Sequence, residues 1–279
     1  MKIIDGKSLS LRLRQELKEK IQTMSVRPGL AVVIVGNDPA SQIYVRNKVK
    51  ACADVGVQSF VYELPETVEQ KQIEDLLDEL AQDAKIHGIL LQLPLPKQFD
   101  GEKAMAHIPV SKDVDGFSAE NLGLLMLHKE RVVACTPLGI MKILEAEEVD
   151  LHGKHAVVLG RSATVGKPIA SLLLNANATV TICHSKTQNL KEICKTADIL
   201  IASIGQPNFV REDMVKEGAV VIDVGINRDE NGKLCGDVDF ENVKEKTSLI
   251  TPVPGGVGPM TITMLLYNTC LLAEQSIKE

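Results

Sequence analysis

The sequence predicts an α/β protein of two domains built on parallel sheets. Three observations predict it. Short apolar runs of strand length alternate with stretches of helical periodicity along most of the chain. At 279 residues the chain is long enough for a substantial core in each of two domains. One segment, His155 to Thr187, has the order strand, glycine turn, helix, strand that opens a dinucleotide-binding βαβ unit.

The elements follow from local pattern. Leu9 to Met24 reads as a helix because Leu13, Leu17 and Ile21 recur at helical spacing. Leu30 to Val35 is a continuous apolar run closed by Gly36, a buried strand. Asp38-Pro39 is an N-cap followed by proline at the first helical position, and the helix it starts runs to Val55, stopped by Gly56. Val57 to Leu64 is a strand, and Val68 to Ala84 a helix with Ile73, Leu76, Leu77 and Leu80 on one face. Gly88 to Leu93 is a strand halted by Pro94 and Pro96. Lys97 to Arg131 is less regular and is expected to link the domains. Thr136 to Glu147 is a helix leading into the nucleotide unit. That unit runs through the strand Ala156 to Leu159, the helix Pro168 to Ala176 and the strand Thr179 to Cys183. Further strands are expected at Ile199 to Ser203, Ala219 to Val224 and Ser248 to Thr251. The run Pro252 to Pro259 is expected to be irregular, with a last helix from Met260 to about Ala273.

Within the nucleotide unit, Gly160 and Gly166 flank Arg161-Ser162-Ala163-Thr164-Val165. Glycines let the backbone approach a pyrophosphate, whose charge faces the free N–H groups of the helix start. NAD-binding units place an acid after the second strand to hold the ribose 2′-hydroxyl. Here no acid occurs from Thr179 to Asn189; His184-Ser185-Lys186-Thr187 stands there instead, and Arg161 sits in the glycine loop. A cation and hydroxyls suit a 2′-phosphate, so NADP is favoured over NAD. The loop departs from the common pattern in having Ser162 where a middle glycine is usual.

Composition narrows the classes. Hydrophobic content of 44% and charged content of 24% suit a soluble globular chain. A net charge of −6 offers no basic patch for nucleic acid and argues against anionic membranes. With no Trp and 3% aromatics, base stacking is not a general strategy. No apolar run approaches the ~20 residues of a membrane span, and Met1 to Gly6 is too soon interrupted by charge for a signal peptide. The six cysteines are scattered without a CxxC pair, which predicts reduced thiols, no metal site and a cytoplasmic protein.

Four clusters outside the nucleotide unit carry candidate chemistry. Tyr44 and Lys48, at i and i+4, share a helix face. A phenol beside an amine is a proton-transfer pair, since a desolvated lysine titrates well below its usual ~10.4; an exposed surface helix is the plainer reading. Tyr-x3-Lys also marks short-chain dehydrogenases, where it follows the nucleotide loop; here it precedes that loop. Gln92, in Leu91-Gln92-Leu93-Pro94, ends a strand where α/β sheets keep their ligands, and is either a structural hydrogen-bonder or a ligand contact. Asp113 and Asp115, in Lys112-Asp113-Val114-Asp115-Gly116, read unaided as a turn, with no His or Cys at metal-ligand spacing. The run Pro252 to Pro259 implies a backbone held close either to a ligand or to another domain.

Taken in order, these segments resemble the bifunctional methylenetetrahydrofolate dehydrogenase/cyclohydrolase family, the FolD type. The match is carried by Tyr44-x3-Lys48-x-Lys50-Ala51, Gly88 to Pro96, Lys112 to Gly116, Cys135-Thr136-Pro137, Gly160-Arg161-Ser162, Val165 to Pro168, Cys183 to Thr187, Val224 to Asn227 and Pro252 to Thr261. It spans nearly the whole chain, and the departures are small: Thr164 replaces a common aliphatic residue and Leu91 a frequent Val.

The resemblance implies an N-terminal catalytic folate domain, residues 1–118, completed by the helix 260–279, and a Rossmann-type NADP-binding domain, residues 119–259, with a cleft between them and a homodimer as the usual assembly. It implies oxidation of 5,10-methylenetetrahydrofolate to the methenyl cation with NADP as hydride acceptor, then hydrolysis to 10-formyltetrahydrofolate. It makes Lys48 the key catalytic residue, with Gln92 bonding it or the folate, Tyr44 positioning the folate and Asp115 accepting from the pterin's amino-pyrimidine end. Leu93, Pro254, Gly255, Gly256 and Gly258 are implied on the folate side; Gly160, Arg161, Ser162, Gly166, Ser185 and Ile226 on the NADP side. Three alternatives stay open on sequence alone: a monofunctional NAD(P)-dependent dehydrogenase, a nucleotide-sensing binding protein, and an NADP dehydrogenase of another substrate.

Overall fold

The computed structural model describes residues 1–277; residues 278 and 279 of the expected last helix lie outside the described residues. The chain opens with a two-residue strand, β1 (Lys2–Ile3), and helix α1 (Gly6–Thr23). This helix starts three residues before the expected Leu9. The cause is Asp5, whose carboxylate accepts from the Ser8 backbone N–H at 2.9 Å and the Ser8 hydroxyl at 2.6 Å, an N-cap the apolar spacing did not reveal. Strand β2 (Gly29–Val35) and helix α2 (Pro39–Val55) follow, the helix capped by Asp38, which accepts from the Ser41 N–H at 2.8 Å, and ended at Gly56. Then come β3 (Gln58–Leu64), α3 (Gln70–Gln82) and β4 (Gly88–Leu91).

The segment expected to be a linker is more ordered than that. It contains α4 (Gly101–Met105), a 3-10 turn at Val110–Lys112 and α5 (Ala119–Met126), and its residues up to Leu124 pack with the N-terminal sheet. Next are α6 (Cys135–Ala146), β5 (His155–Leu159), α7 (Gly166–Asn175), β6 (Thr179–Cys183), α8 (Leu190–Cys194), β7 (Ile199–Ala202) and β8 (Val220–Asp223). A small hairpin of β9 (Asn227–Arg228) and β10 (Leu234–Cys235) precedes α9 (Phe240–Val243), β11 (Leu249–Ile250) and α10 (Val257–Gln275). Helix α10 corrects the expectation for Pro252 to Pro259: the last three residues of that run are already helical. Pro259 sits in the first turn, where a missing N–H breaks no intrahelical bond.

The chain forms two compact units. One comprises Met1–Leu11, Leu125–Lys129 and Ala134–Thr261; the other Arg12–Leu124, Glu130–Val133 and the chain from Ile262 onward. The second holds a parallel sheet of order β3-β2-β4. Every residue of β2 is buried, as expected of a central parallel strand covered on both faces. Ala31, Val33 and Val35 meet Ile73, Leu77 and Leu80 of α3 in one core.

The first unit holds a parallel sheet of order β1-β11-β8-β7-β5-β6. Val158 pairs with Ile182 on one side and Ile201 on the other, so the strand order reverses at β5. That reversal is a topological switch point, and ligands bind beyond the carboxyl ends of the strands beside it. Strand β1 escaped the sequence reading because two residues carry no periodicity; it is placed by its partner, Lys2 opposite Leu249. All six cysteines are free thiols. Among the described residues no helix is long and apolar enough to cross a membrane, and no three His, Cys, Asp or Glu residues group as a metal site.

Leu77 is fully buried in the core between α3 and the three-stranded sheet. Leu77→Ala is expected to lower the unfolding free energy by about 2–5 kcal/mol, read from the shift of a urea denaturation midpoint.

Candidate active site

In the unit of the three-stranded sheet, α2 projects Tyr44 and Lys48 from one face, four residues apart. Tyr44 is exposed and Lys48 half-buried. Gln92 follows β4 and is buried; its backbone N–H donates to Val33 O at 2.8 Å, extending the strand pairing by one residue. The Lys48 Nζ donates to Gln92 Oε1 at 2.9 Å, and Gln92 Nε2 donates to Leu93 O at 2.6 Å. The second bond fixes which end of the amide faces the lysine. An amide oxygen orients the amine without adding a counter-charge, as a carboxylate would. The Leu93–Pro94 peptide is cis.

The two acids of the Lys112–Gly116 segment take separate parts. Asp113 is buried and accepts from the backbone N–H groups of Gly116, Phe117 and Ser118 at 3.0, 3.3 and 2.8 Å, and from Asn121 Nδ2 at 2.8 Å. It is the structural acid of the turn. Asp115, half-buried, rides on the turn that Asp113 holds. Sequence spacing alone left the two equivalent.

In the other unit, the carboxyl ends of β5, β6 and β7 enclose a cavity of about 490 Å³. Gly160, Arg161 and Ser185 line it. Leu159, His184, Thr187 and Leu190 join them, and Ser203, Ile204, Gln206 and Phe209 form the wall beyond β7. The wall beyond β7 was missed; its signal was the end of an expected strand at Ser203, the same kind of position as Gly160. Gly160 has φ +121°, and a Cβ there would overlap Ser203 O. A Cβ at Gly166 would overlap Gly160 O, so this glycine lets α7 pack against the end of β5.

Ser162, Gly166 and Ile226 are not among the residues lining this cavity. The Ser162 hydroxyl oxygen accepts from the N–H groups of Val165 and Gly166 at 3.1 and 3.2 Å, capping α7 from within the loop. Ile226 is exposed, on the segment after β8. Pro254, Gly255, Gly256 and Gly258 belong to this unit as well, and the Val253–Pro254 peptide is cis.

Asp223, at the end of β8, is 3% exposed. Its carboxylate accepts from the backbone N–H groups of Gly225, Asp237 and Val238, each at 2.9 Å. Burial dominates these bonds and pushes its carboxyl from 3.8 up to about 6. The folded chain therefore binds this proton more tightly than the unfolded one, a stabilisation present below about pH 4 and lost as pH rises through about 6. Relative to Asp223→Asn, which stays neutral, the wild-type unfolding free energy is expected to fall by on the order of 2 kcal/mol between pH 4 and 7. Urea denaturation of both proteins across that range checks the sign.

Comparison with known proteins divides the chain near the same point, although residues 4–11 and the chain from Ile262 onward are matched with the opposite half from the unit in which they pack. Residues 4–115 match the family model for the tetrahydrofolate dehydrogenase/cyclohydrolase catalytic domain, and residues 134–277 that for its NAD(P)-binding domain. The bifunctional protein FolD of Campylobacter concisus is 55% identical over 280 residues, covering 99% of both chains. A crystal structure of the bifunctional FolD enzyme from Campylobacter jejuni superposes with a TM-score of 0.97 at 51% identity, covering 99% of each chain. The Trypanosoma brucei FolD structure, complexed with NADP cofactor and inhibitor, gives 0.94 at 38% identity, covering 100% of this chain and 99% of that one. The chain belongs to the tetrahydrofolate dehydrogenase/cyclohydrolase family.

Proposed function

We propose that this chain is a bifunctional enzyme of one-carbon folate metabolism. It oxidises 5,10-methylenetetrahydrofolate to the 5,10-methenyl cation with NADP, then hydrolyses the cation to 10-formyltetrahydrofolate, releasing one proton. The observation that carries this reading is the Lys48–Gln92 pair, held at 2.9 Å beyond the carboxyl end of β4 in the part matched by the family's catalytic domain. The hydrolysis step needs proton transfer near neutral pH, and an amine held by a buried amide suits it.

The cavity residues fit NADP. Arg161 and Ser185 supply a cation and a hydroxyl, and no carboxylate side chain lines the cavity to repel a 2′-phosphate. When bound, NADP supplies the hydride acceptor. The protein's own task in that step is to hold two rings in register. Gly160 opens the backbone to the pyrophosphate, Gly166 and Ser162 shape the loop that presents it, and Ile226 packs near the nicotinamide half.

In the hydrolysis, Lys48 takes the proton of the water adding to the methenyl carbon and returns it as the ring opens. Gln92 positions Lys48 through Oε1. Tyr44 positions the folate, and Asp115 accepts hydrogen bonds from its amino-pyrimidine end. Leu93, Pro254, Gly255, Gly256 and Gly258 line the folate side. The catalytic half is assigned to residues 1–118 with the helix from 260 onward, and the NADP half to 119–259. The working form is assigned as a cytoplasmic homodimer that binds neither nucleic acid nor membrane; the net charge of −6 supports the last two points.

The deciding assay is paired: reduced nicotinamide from 5,10-methylenetetrahydrofolate with NADP or NAD, and separately the disappearance of the methenyl compound. Both activities, with NADP preferred, are expected; reduction without hydrolysis would leave a monofunctional dehydrogenase. Lys48→Met is expected to lower cyclohydrolase turnover by about a hundredfold or more, and near-normal turnover would remove Lys48 from the proton-transfer role. Arg161→Ala is expected to raise the KM for NADP by about tenfold or more while leaving that for NAD much less changed. An equal loss for both nucleotides would reject the 2′-phosphate contact.

A further inference from the structure

The wall of the nucleotide cavity beyond β7 is built on an unusual acceptor. The backbone N–H groups of Ile204, Gly205 and Gln206 converge on one carboxylate: Asp237 Oδ2 accepts from Ile204 at 2.6 Å and Gly205 at 3.1 Å, and Oδ1 from Gln206 at 2.9 Å. Gly205 has φ +68°, the left-handed turn that aims successive N–H groups at one point. Such a concavity of backbone donors is an anion site, of the kind that cradles phosphate in other nucleotide-binding proteins. Here a side chain of the protein itself fills it. Asp237 is fully buried.

The same carboxylate reaches a second segment. Asp237 Oδ1 also accepts from Asn227 Nδ2 at 2.8 Å, next to Ile226. The backbone N–H of Asp237 donates to Asp223 at 2.9 Å, and Asp223 in turn accepts from Gly225. Asp237 therefore ties together the loop 204–206, two of whose residues line the cavity, and the segment 225–227 after β8.

We propose that Asp237 is a positioning residue for the dinucleotide. By occupying the nest internally it fixes the wall formed by Ile204 and Gln206 and holds Asn227 to it, and it reserves the nest from the cofactor's phosphates, which are received on the Gly160 side. Asp237 touches no cofactor atom in this role; it acts through the two segments it joins. The proposal rests on NADP being the cofactor of this cavity.

The test is steady-state kinetics on the full-length Asp237→Asn protein, with wild type alongside. Asn keeps the side-chain size but turns an NH2 group toward backbone donors, so the loop cannot close on it. The expected result is a rise of about tenfold or more in the KM for NADP. The kcat at saturating NADP should stay within about threefold, and cyclohydrolase activity without nucleotide should be unchanged. A purely structural role would lower both activities together, in step with the folded fraction, and that outcome overturns the proposal. So does an unchanged KM in a folded variant. Should Asp237→Asn not fold, Asn227→Ala decides, since it removes one donor and leaves the carboxylate. A KM for NADP raised by about threefold or more, with cyclohydrolase intact, supports the proposal, and an unchanged KM overturns it. Wild type without NADP-dependent turnover would instead refute the cofactor reading itself.

Discussion

The constraint on which the rest depends is the covering of parallel strands on both faces. Parallel strands need crossovers, the crossovers are mostly helices, and the helices occupy the sheet faces. In the central strands β2, β4, β5, β7 and β8, side chains meet solvent chiefly at the strand ends. At β5 the order reverses, so the crossovers on its two sides diverge and leave the space that Gly160, His184 and Ser203 border. At β4, beside the equally buried β2, the same end of the strand presents Gln92 to Lys48. The candidate site residues sit at these ends, where the strands leave the hydrophobic cores.

A second theme is the use of buried carboxylates as organisers of loops. Asp113 gathers the turn Gly116–Ser118, Asp223 gathers Gly225, Asp237 and Val238, and Asp237 gathers Ile204 to Gln206. The N–H groups of Ile204, Gly205, Gln206, Gly225, Asp237 and Val238 donate to these carboxylates rather than to a neighbouring strand, and unpaired buried N–H groups are costly. One side chain supplies the acceptors that a neighbouring strand supplies elsewhere. The loops so held carry Asp115, Ile226 and the cavity wall.

Much of this was legible in the sequence, for local reasons. The βαβ unit announced itself through apolar runs of strand length around Gly160, and α2 through Asp38, Pro39 and Gly56, whose signals act within a few residues. The Tyr44–Lys48 face followed from helical spacing. What escaped depends on distant partners. Strand β1 exists only because β11 lies beside it. The different fates of Asp113 and Asp115 depend on Asn121 and on the turn's path. Ser203, Ile204, Gln206 and Phe209 became cavity residues through the placing of β7 against β5, and Asp237 reaches the backbone of 204–206 only after the β9–β10 hairpin. Periodicity reports which face of an element is apolar, not which loop a buried acid will find.

The pairing of β1 with β11 has a consequence for biogenesis. Strand β1 lies at the edge of a sheet beside a strand synthesised long after it, with Lys2 opposite Leu249 and Ile3 opposite Ile250. At bacterial or eukaryotic elongation rates, β1 waits on the order of ten seconds or more for its neighbour to be made. Meanwhile β11 has its other partner, β8, close at hand in the chain. Strands β5 to β8 therefore have sheet partners made before β11 appears, so the β1 edge of this sheet is the last to close.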